Sequence, residues 1–219
     1  AGDIAGVQTM YPTTTTTTPL APTTVGVTVA SNPAGQPLVV DGVSISATTT
    51  FQWTPGSSHT VSAPNSSTST TKYAFKSWSD GGAQTHTVTT PTSALNLTAN
   101  YQKQFNVKAA SSNTSVGTAS LSPTSSDSFY NEGSALSATA TATGSACFTG
   151  WSGITAPAAS RITINVNQAY SVTANFQSGA ISAAPSSFAF GVAASTGSVS
   201  VSASTGCAWS ARSNASWIK

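Results

Sequence analysis

The chain has 219 residues, of which only 5% are charged, and its formal net charge is +2. The seven Lys and Arg residues are scattered, whereas nucleic-acid binding needs clustered basic side chains to neutralise phosphates. No apolar run approaches the ~20 residues that cross a bilayer. We therefore expect no nucleic-acid partner and no membrane span.

Ser and Thr supply 74 of the residues. Low charge can accompany disorder, but here Val, Ile, Thr and aromatic residues recur in alternation, which is typical of β-strands. The Ser and Thr residues then form the solvent faces. A chain of this length accommodates two or three small domains.

Residues 1–24 are rich in Thr and Pro and predict an extended segment without a core. Three interpretations stay open: a flexible spacer, an O-glycosylated tract of an exported protein, or a donor strand for another subunit's sheet edge. The start, Ala-Gly-Asp, suits a mature N-terminus or an excised fragment, and we expect a signal peptide to be absent or removed. The candidate O-glycosylation sites are Thr13, Thr14, Thr15, Thr16, Thr17 and Thr18.

Residues 25–102 are predicted to form a first β-module. Val25, Val27 and Val29 alternate as in a half-buried strand. Residues 38–45 predict a tight hairpin, because the Asp41-Gly42 pair supplies the positive φ angles of a type I′ turn. The first module is expected to end near Gln102, where a second module, residues 103–177, begins.

A motif that occurs once in each module organises the chain. Residues 75–81 (Phe-Lys-Ser-Trp-Ser-Asp-Gly) lead to Thr-Ala-Asn-Tyr-Gln at 98–102, and residues 148–153 (Phe-Thr-Gly-Trp-Ser-Gly) lead to Thr-Ala-Asn-Phe-Gln at 173–177. A repeat of this kind indicates an array of similar units. Because its aromatic residues recur in register, we expect them in the cores. They are Phe75, Trp78, Tyr101, Phe148, Trp151 and Phe176.

The two cysteines, Cys147 and Cys207, lie in different predicted modules. An exported chain could join them in an inter-module disulfide. The alternative is two buried thiols that behave as small hydrophobic side chains. Neither cysteine belongs to a CxxC pair, which disfavours zinc.

Three parts of the chain resemble known extracellular β-modules. Residues 31–35 (Ser-Asn-Pro-Ala-Gly) with 39–42 (Val-Val-Asp-Gly) resemble the PEGA-type module of bacterial surface proteins. Residues 75–102 resemble a divergent internalin-B-type B repeat, and residues 103–177 match that family more clearly, including Tyr-Asn-Glu-Gly-Ser at 130–134. Residues 207–211 (Cys-Ala-Trp-Ser-Ala) and 214–218 (Asn-Ala-Ser-Trp-Ile) resemble the N-terminal half of a BACON-type module.

These resemblances imply an all-β fold of tandem small β-sandwich or β-grasp-like modules in an elongated array. They also imply that residues 178–219 form a partial immunoglobulin-like module, since the later strands of the BACON pattern do not follow. The natural chain continues, or Lys219 marks a trypsin-like cut, or a neighbouring subunit supplies the missing strands by strand addition.

The sequence favours a non-catalytic role. The two histidines, His59 and His86, and the five acids share no motif of a general acid and base. There is no Gly-x-Ser-x-Gly elbow and no calcium loop of alternating Asp. We therefore expect no enzyme activity, no catalytic residues, no metal and no cofactor.

We predict an exported extracellular or cell-surface protein, bacterial by resemblance, that acts as a stalk, spacer, adhesin or fibre subunit. Its partners would be copies of itself or a polysaccharide. The alternative is a carbohydrate-binding accessory region of a secreted protein, because exposed aromatic faces stack on sugar rings. The candidate sugar-binding residues are Trp53, Trp209 and Trp217, although each also suits a core.

Overall fold

The computed structural model describes residues 23–179, 181–187, 189, 196–204, 207, 210 and 212. The threonine tract at 13–18 lies outside these residues, as do Trp209 and Trp217. The predicted all-β class is confirmed, because every regular element in the described part is a strand. The strands are β1 (Val25–Asn32), β2 (Leu38–Val40), β3 (Val43–Ile45), β4 (Thr49–Trp53), β5 (Ser58–Ser62), β6 (Ser66–Ser67), β7 (Thr71–Trp78), β8 (Thr85–Thr89), β9 (Leu95–Ser111), β10 (Gly117–Ser122), β11 (Phe129–Asn131), β12 (Ala135–Ala142), β13 (Cys147–Ser152), β14 (Arg161–Asn165), β15 (Tyr170–Gln177), β16 (Ile181–Ala184) and β17 (Ser200–Ala203).

Module 1 has two sheets with one core between them. One sheet has the order β4-β1-β9-β7 and the other has the order β3-β2-β5-β8. The predicted hairpin is present: β2 pairs with β3, and Asp41 and Gly42 have φ angles of 49° and 81°. The two sheets bury one cluster of apolar side chains: Val27, Val29, Leu38, Val40, Trp53, Val61, Ala63, Trp78, Val88, Leu97, Ala99 and Tyr101.

Module 2 repeats this topology with one strand fewer in its second sheet. One sheet has the order β11-β9-β15-β13, and the other has the order β10-β12-β14. The second half of β9 takes the place that β1 has in module 1, and β15 takes the place of the first half of β9. Its buried cluster is Phe105, Val107, Tyr130, Leu136, Ala138, Ile162, Ile164, Val166 and Val172.

Strand β9 belongs to both modules. It is 17 residues long, and the predicted boundary at 102–103 falls inside it. Its residues up to Tyr101 contribute to the first core, and its residues from Phe105 onward contribute to the second. The two cores therefore meet between Tyr101 and Phe105, along one unbroken strand.

Contacts made by β7 and the residue before it hold the modules together beside β9. Strand β7 of module 1 continues its pairing past the boundary as far as Phe105, and the Asn106 N–H donates to the Thr70 carbonyl at 2.9 Å. Lys72 Nζ lies 2.6 Å from Asp127 Oδ2 of module 2. The junction is thus a paired β-structure and not a flexible linker.

The described part of residues 178–219 contains one pair of antiparallel strands, β16 and β17. All residues of β16 are exposed, and Ile181 is 60% exposed. The open sandwich edge that the BACON resemblance predicts concerns residues that mostly lie outside the described part of the chain.

Candidate functional site

The repeated motif forms the same aromatic arrangement in both modules. In each copy the phenylalanine pairs across the sheet with an aromatic residue, Phe75 with Tyr101 and Phe148 with Phe176. The tryptophan then pairs with an alanine, Ala99 or Ala174, after a β-bulge of one residue. The bulge turns the strand so that the rings of the phenylalanine and the tryptophan, three residues apart, lie next to each other in both copies.

The two tryptophans anchor the motif through their indole nitrogens. Trp78 Nε1 donates to the Gln84 carbonyl at 3.1 Å, and Trp151 Nε1 donates to the Ala159 carbonyl at 3.0 Å. Trp78 is 2% exposed, whereas Trp151 is half-buried against the second core. Both indoles are therefore structural, with an apolar body packed inside and a satisfied polar edge.

The other predicted core aromatics are buried to different degrees. Tyr101 is buried, and its hydroxyl donates to the Pro37 carbonyl at 2.8 Å; burial raises its pKa to about 12. Phe75 packs against the first core. Phe148 and Phe176 are only half-buried and lie outside the second cluster. Their ring centroids are 6.0 Å apart. Phe148 and Phe176, which were expected in a core, are therefore only partly buried.

The structure removes Trp53 from the candidate sugar-binding residues. Its side chain is 6% exposed, and the His59 ring stacks on it at 3.8 Å with an interplanar angle of 7°. Phe51 lies 5.5 Å from the same ring. Because sugar stacking needs a free aromatic face, Trp53 is a core residue.

Asp41, His59 and Ser57 form a line of hydrogen bonds that sequence reasoning missed. His59 Nδ1 lies 2.6 Å from Asp41 Oδ2, and His59 Nε2 lies 2.9 Å from Ser57 Oγ. This is the connectivity of a Ser-His-Asp triad. No local motif could reveal it, because it depends on the pairing of β2 with β5, which brings the Asp41 turn beside His59.

The hydrogen bonds around Ser57 do not fit a nucleophile. Its hydroxyl lies 2.6 Å from the Thr54 carbonyl, which can only accept, so the proton points away from the imidazole. The Ser57 N–H donates to Thr54 and the Gly56 N–H to Thr90. These two amides are therefore unavailable as donors to an oxyanion. Asp41, His59 and Ser57 instead link two turns of module 1 through hydrogen bonds.

A second histidine-carboxylate pair lies on the same sheet of module 1. His86 Nε2 is 2.9 Å from Asp80 Oδ2, and His86 Nδ1 is 2.8 Å from the Ala83 carbonyl. The His86 ring packs edge-on against Trp78, at 5.7 Å. Each buried tryptophan of module 1 thus has a histidine against it, and each histidine is held by a turn aspartate.

The carboxylates of both pairs favour their charged form. The hydrogen bond from His59 lowers the pKa of Asp41, helped by the Thr60 N–H. Burial raises the pKa of Asp80, but hydrogen bonds from the Gly82 N–H and His86 outweigh it, so this pKa is also lowered. A general acid needs the opposite shift, so neither carboxyl group is suited to donate a proton near neutral pH.

Module 2 carries an open groove of about 620 Å³ on the outer face of β14. Its lining has no charged side chain and is rich in amides: Gly153, Ile154, Thr155, Thr163, Asn165, Asn167, Gln168 and Tyr170. Tyr170 donates its hydroxyl to Asn167 Oδ1 at 2.7 Å. Amides both donate and accept hydrogen bonds, so the groove matches the hydroxyl groups of a neutral polar ligand.

Cys147 and Cys207 form a disulfide. It joins the first residue of β13 to the segment that follows β17, across a sequence separation of 60 residues. Of the two alternatives left open by the sequence, the structure has the inter-module bond and not two separate thiols.

Within the described ranges, no group of three or more His, Cys, Asp and Glu side chains is placed to hold a metal ion. That part of the chain also contains no helix long and apolar enough to cross a membrane. Comparison of the chain with protein-family models, curated proteins and solved structures finds no match.

Proposed function

We propose that this chain is a non-catalytic extracellular structural or adhesive protein, a surface stalk, spacer or fibre subunit that acts through shape and contact. The observation that carries the proposal is β9, one strand of 17 residues that completes two hydrophobic cores. A shared strand and the Lys72–Asp127 ion pair favour a fixed relation between the modules. Fixed spacing is what a structural protein supplies.

The chemistry of the chain supports export. A disulfide persists in oxidising compartments such as the bacterial cell exterior, and reducing cytosol keeps most thiols free. Protease treatment of intact host cells, followed by mass spectrometry, tests this part. We expect surface-accessible peptides and a disulfide between Cys147 and Cys207. Protein found only inside the cell, with both thiols reduced, would contradict export.

The Asp41-His59-Ser57 line gives a direct test of the non-catalytic part. Hydrolysis of an activated ester is measured for the wild-type chain, Ser57→Ala and Asp41→Asn, with the exposed neighbour Ser58→Ala as matched control. We expect one background rate for all four proteins, because the Ser57 proton is held by the Thr54 carbonyl. A rate lost in Ser57→Ala and Asp41→Asn but kept in Ser58→Ala would contradict the proposal.

Carbohydrate binding is the second candidate function, and the amide-lined groove of module 2 is the observation that favours it. Retention on insoluble polysaccharides is compared for wild type, Asn165→Ala and Tyr170→Ala. Asn96→Ala, an exposed amide of module 1, is the control. Retention that both groove variants lose and the control keeps would favour this function over a purely structural one.

A further inference from the structure

The first and last strands of module 1 are neighbours and run parallel. Strand β1 pairs with the first half of β9 from Val27–Leu95 to Asn32–Asn100. Both strands are interior, since β1 lies between β4 and β9, and β9 lies between β1 and β7. The chain thus enters the module along one central strand and leaves it along the next.

Module 2 has the same arrangement. The second half of β9 pairs in parallel with β15, from Val107–Tyr170 to Ser111–Ala174. Strand β13 lies on the far side of β15, and β11 pairs with β9 at residues 104–106, just before the segment that β15 joins. The strand by which the chain leaves module 1 is the strand by which it enters module 2.

This topology determines how tension acts on the chain. The starting end of β1 and the finishing end of β9 lie at opposite ends of their pair, so a pull on the chain slides one strand along the other. Parallel strands have evenly spaced hydrogen bonds, and sliding strains all of them at once. Separation from one end would break them one after another.

The paired segments are also shielded from water. Val27, Val29 and Ala99 are 0% exposed in module 1, and Val172 and Ala174 are 0% exposed in module 2. Water would otherwise replace a strained hydrogen bond, since folding exchanges protein bonds for bonds to solvent. Because these neighbouring side chains are buried, water is kept away from the hydrogen bonds of the paired strands that must slide.

We propose that each module is a mechanical clamp, and that the chain transmits tension through β1, β9 and β15 without unfolding. This inference rests on the proposed structural function and names the physical task within it. Resistance to force depends on the unfolding barrier along the pulling direction, and equilibrium stability does not determine it.

The disulfide extends the force path. Cys147 pairs with Gln177, the last residue of β15, so a pull that arrives through Cys207 enters β13 at the end where β15 finishes. A pull through the disulfide therefore loads module 2 from the same end as a pull on the end of β15. The stretch from Cys147 to Cys207, with a sequence separation of 60, stays covalently closed and adds no length.

Single-molecule force spectroscopy on the full chain, placed between disulfide-free marker domains, tests the proposal. The chain is first pulled from its two ends. It is then pulled between its N-terminus and a handle inserted in the exposed loop between Thr92 and Ser93, just before β9. In the second geometry β1 and β9 are separated from the same end. We expect a peak force several-fold lower there than in the end-to-end pull.

The handle variant is its own control. Pulled from its two ends with the handle unattached, it must reproduce the wild-type force, which excludes damage by the insertion. Equal peak forces in the two geometries would overturn the clamp. That result would not contradict the proposed structural function. Conversely, ester hydrolysis that depends on Ser57 would contradict the proposed function without changing the force result.

The disulfide provides a second readout in the same experiment. Adding reductant should lengthen the fully extended chain by about 200 Å, because each released residue spans at most ~3.3–3.6 Å. The double variant Cys147→Ser/Cys207→Ser should reach the extended length of the reduced wild-type chain without any reductant. If reductant leaves the wild-type extension unchanged, the proposed force path through Cys147 is wrong.

Discussion

Gly81 and Gly153 close the turn after each repeated tryptophan, and both have positive φ angles, 80° and 83°. A side chain at Gly81 would meet no atom within 4 Å, whereas one at Gly153 would collide with the Ser171 carbonyl of β15. The two glycines therefore share a backbone requirement but differ in the space around them.

Alanine at these two positions separates the two effects. Gly81→Ala should lower the free energy of unfolding by roughly 1–2 kcal/mol, from the left-handed backbone alone. Gly153→Ala should cost a further 1–3 kcal/mol, roughly the range of overpacking, because a paired strand cannot move aside. Urea unfolding monitored by tryptophan fluorescence measures both. Equal losses would mean that β15 gives way.

Local patterns predicted well what depends only on neighbouring residues. The turn at Asp41-Gly42 is such a case, because two adjacent residues fix its geometry. The bond from Asp41 to His59 is the opposite case, because it depends on which strands meet and in what register. The sequence left Trp53 open between a core and a sugar-binding residue for the same reason, since the His59 ring that covers its face comes from the following strand.

At the scale of one strand, the continuity of β9 was predictable but missed. Alternate positions Leu97, Ala99 and Tyr101 are buried, and Phe105 and Val107 continue in the same phase. A module boundary was predicted at 102–103, among the polar residues 102–104, yet the period of two persists through them. Phase across a polar stretch is therefore a better guide to strand continuity here than composition.

The repeated strands β7 and β13 allow a matched comparison of their tryptophans. Trp78→Ala should lower the free energy of unfolding by about 3–5 kcal/mol, since Trp78 is 2% exposed. Trp151→Ala should cost less, because Trp151 is half-buried. Denaturant titration gives both values. Unchanged stability of Trp151→Ala together with lost polysaccharide retention would instead make Trp151 a ligand platform.

At the scale of the whole molecule, the Lys72–Asp127 pair connects the modules beside β9. The hydrogen bond from Lys72, with those from Ser125 and the Phe129 N–H, holds the pKa of Asp127 well below its ordinary value of 3.8. A depressed carboxyl pKa adds stability above the unfolded value and loses it as pH falls toward the folded one. The junction should therefore weaken in acid.

Asp127→Asn tests this dependence. The variant should unfold at lower denaturant concentration than wild type at pH 7, and the difference should shrink as the pH falls below about 4. Lys72→Met should remove only the part of the pH dependence that comes from Lys72, and the hydrogen bonds from Ser125 and the Phe129 N–H should keep the rest. Urea unfolding at pH 7 and at low pH provides the comparison. If the stability difference between Asp127→Asn and wild type did not change with pH, it would come from geometry and not from the charge of Asp127.

The sharing of β9 also has a consequence for synthesis on the ribosome. Module 1 lacks a central strand until the first half of β9 has left the exit tunnel. When it docks, the second half follows at once as an anchored strand to which β11 and β15 can add. Closing a loop onto a fixed template orders fewer residues than assembling two free strands. We therefore expect N-to-C folding, in which each completed module seeds its successor.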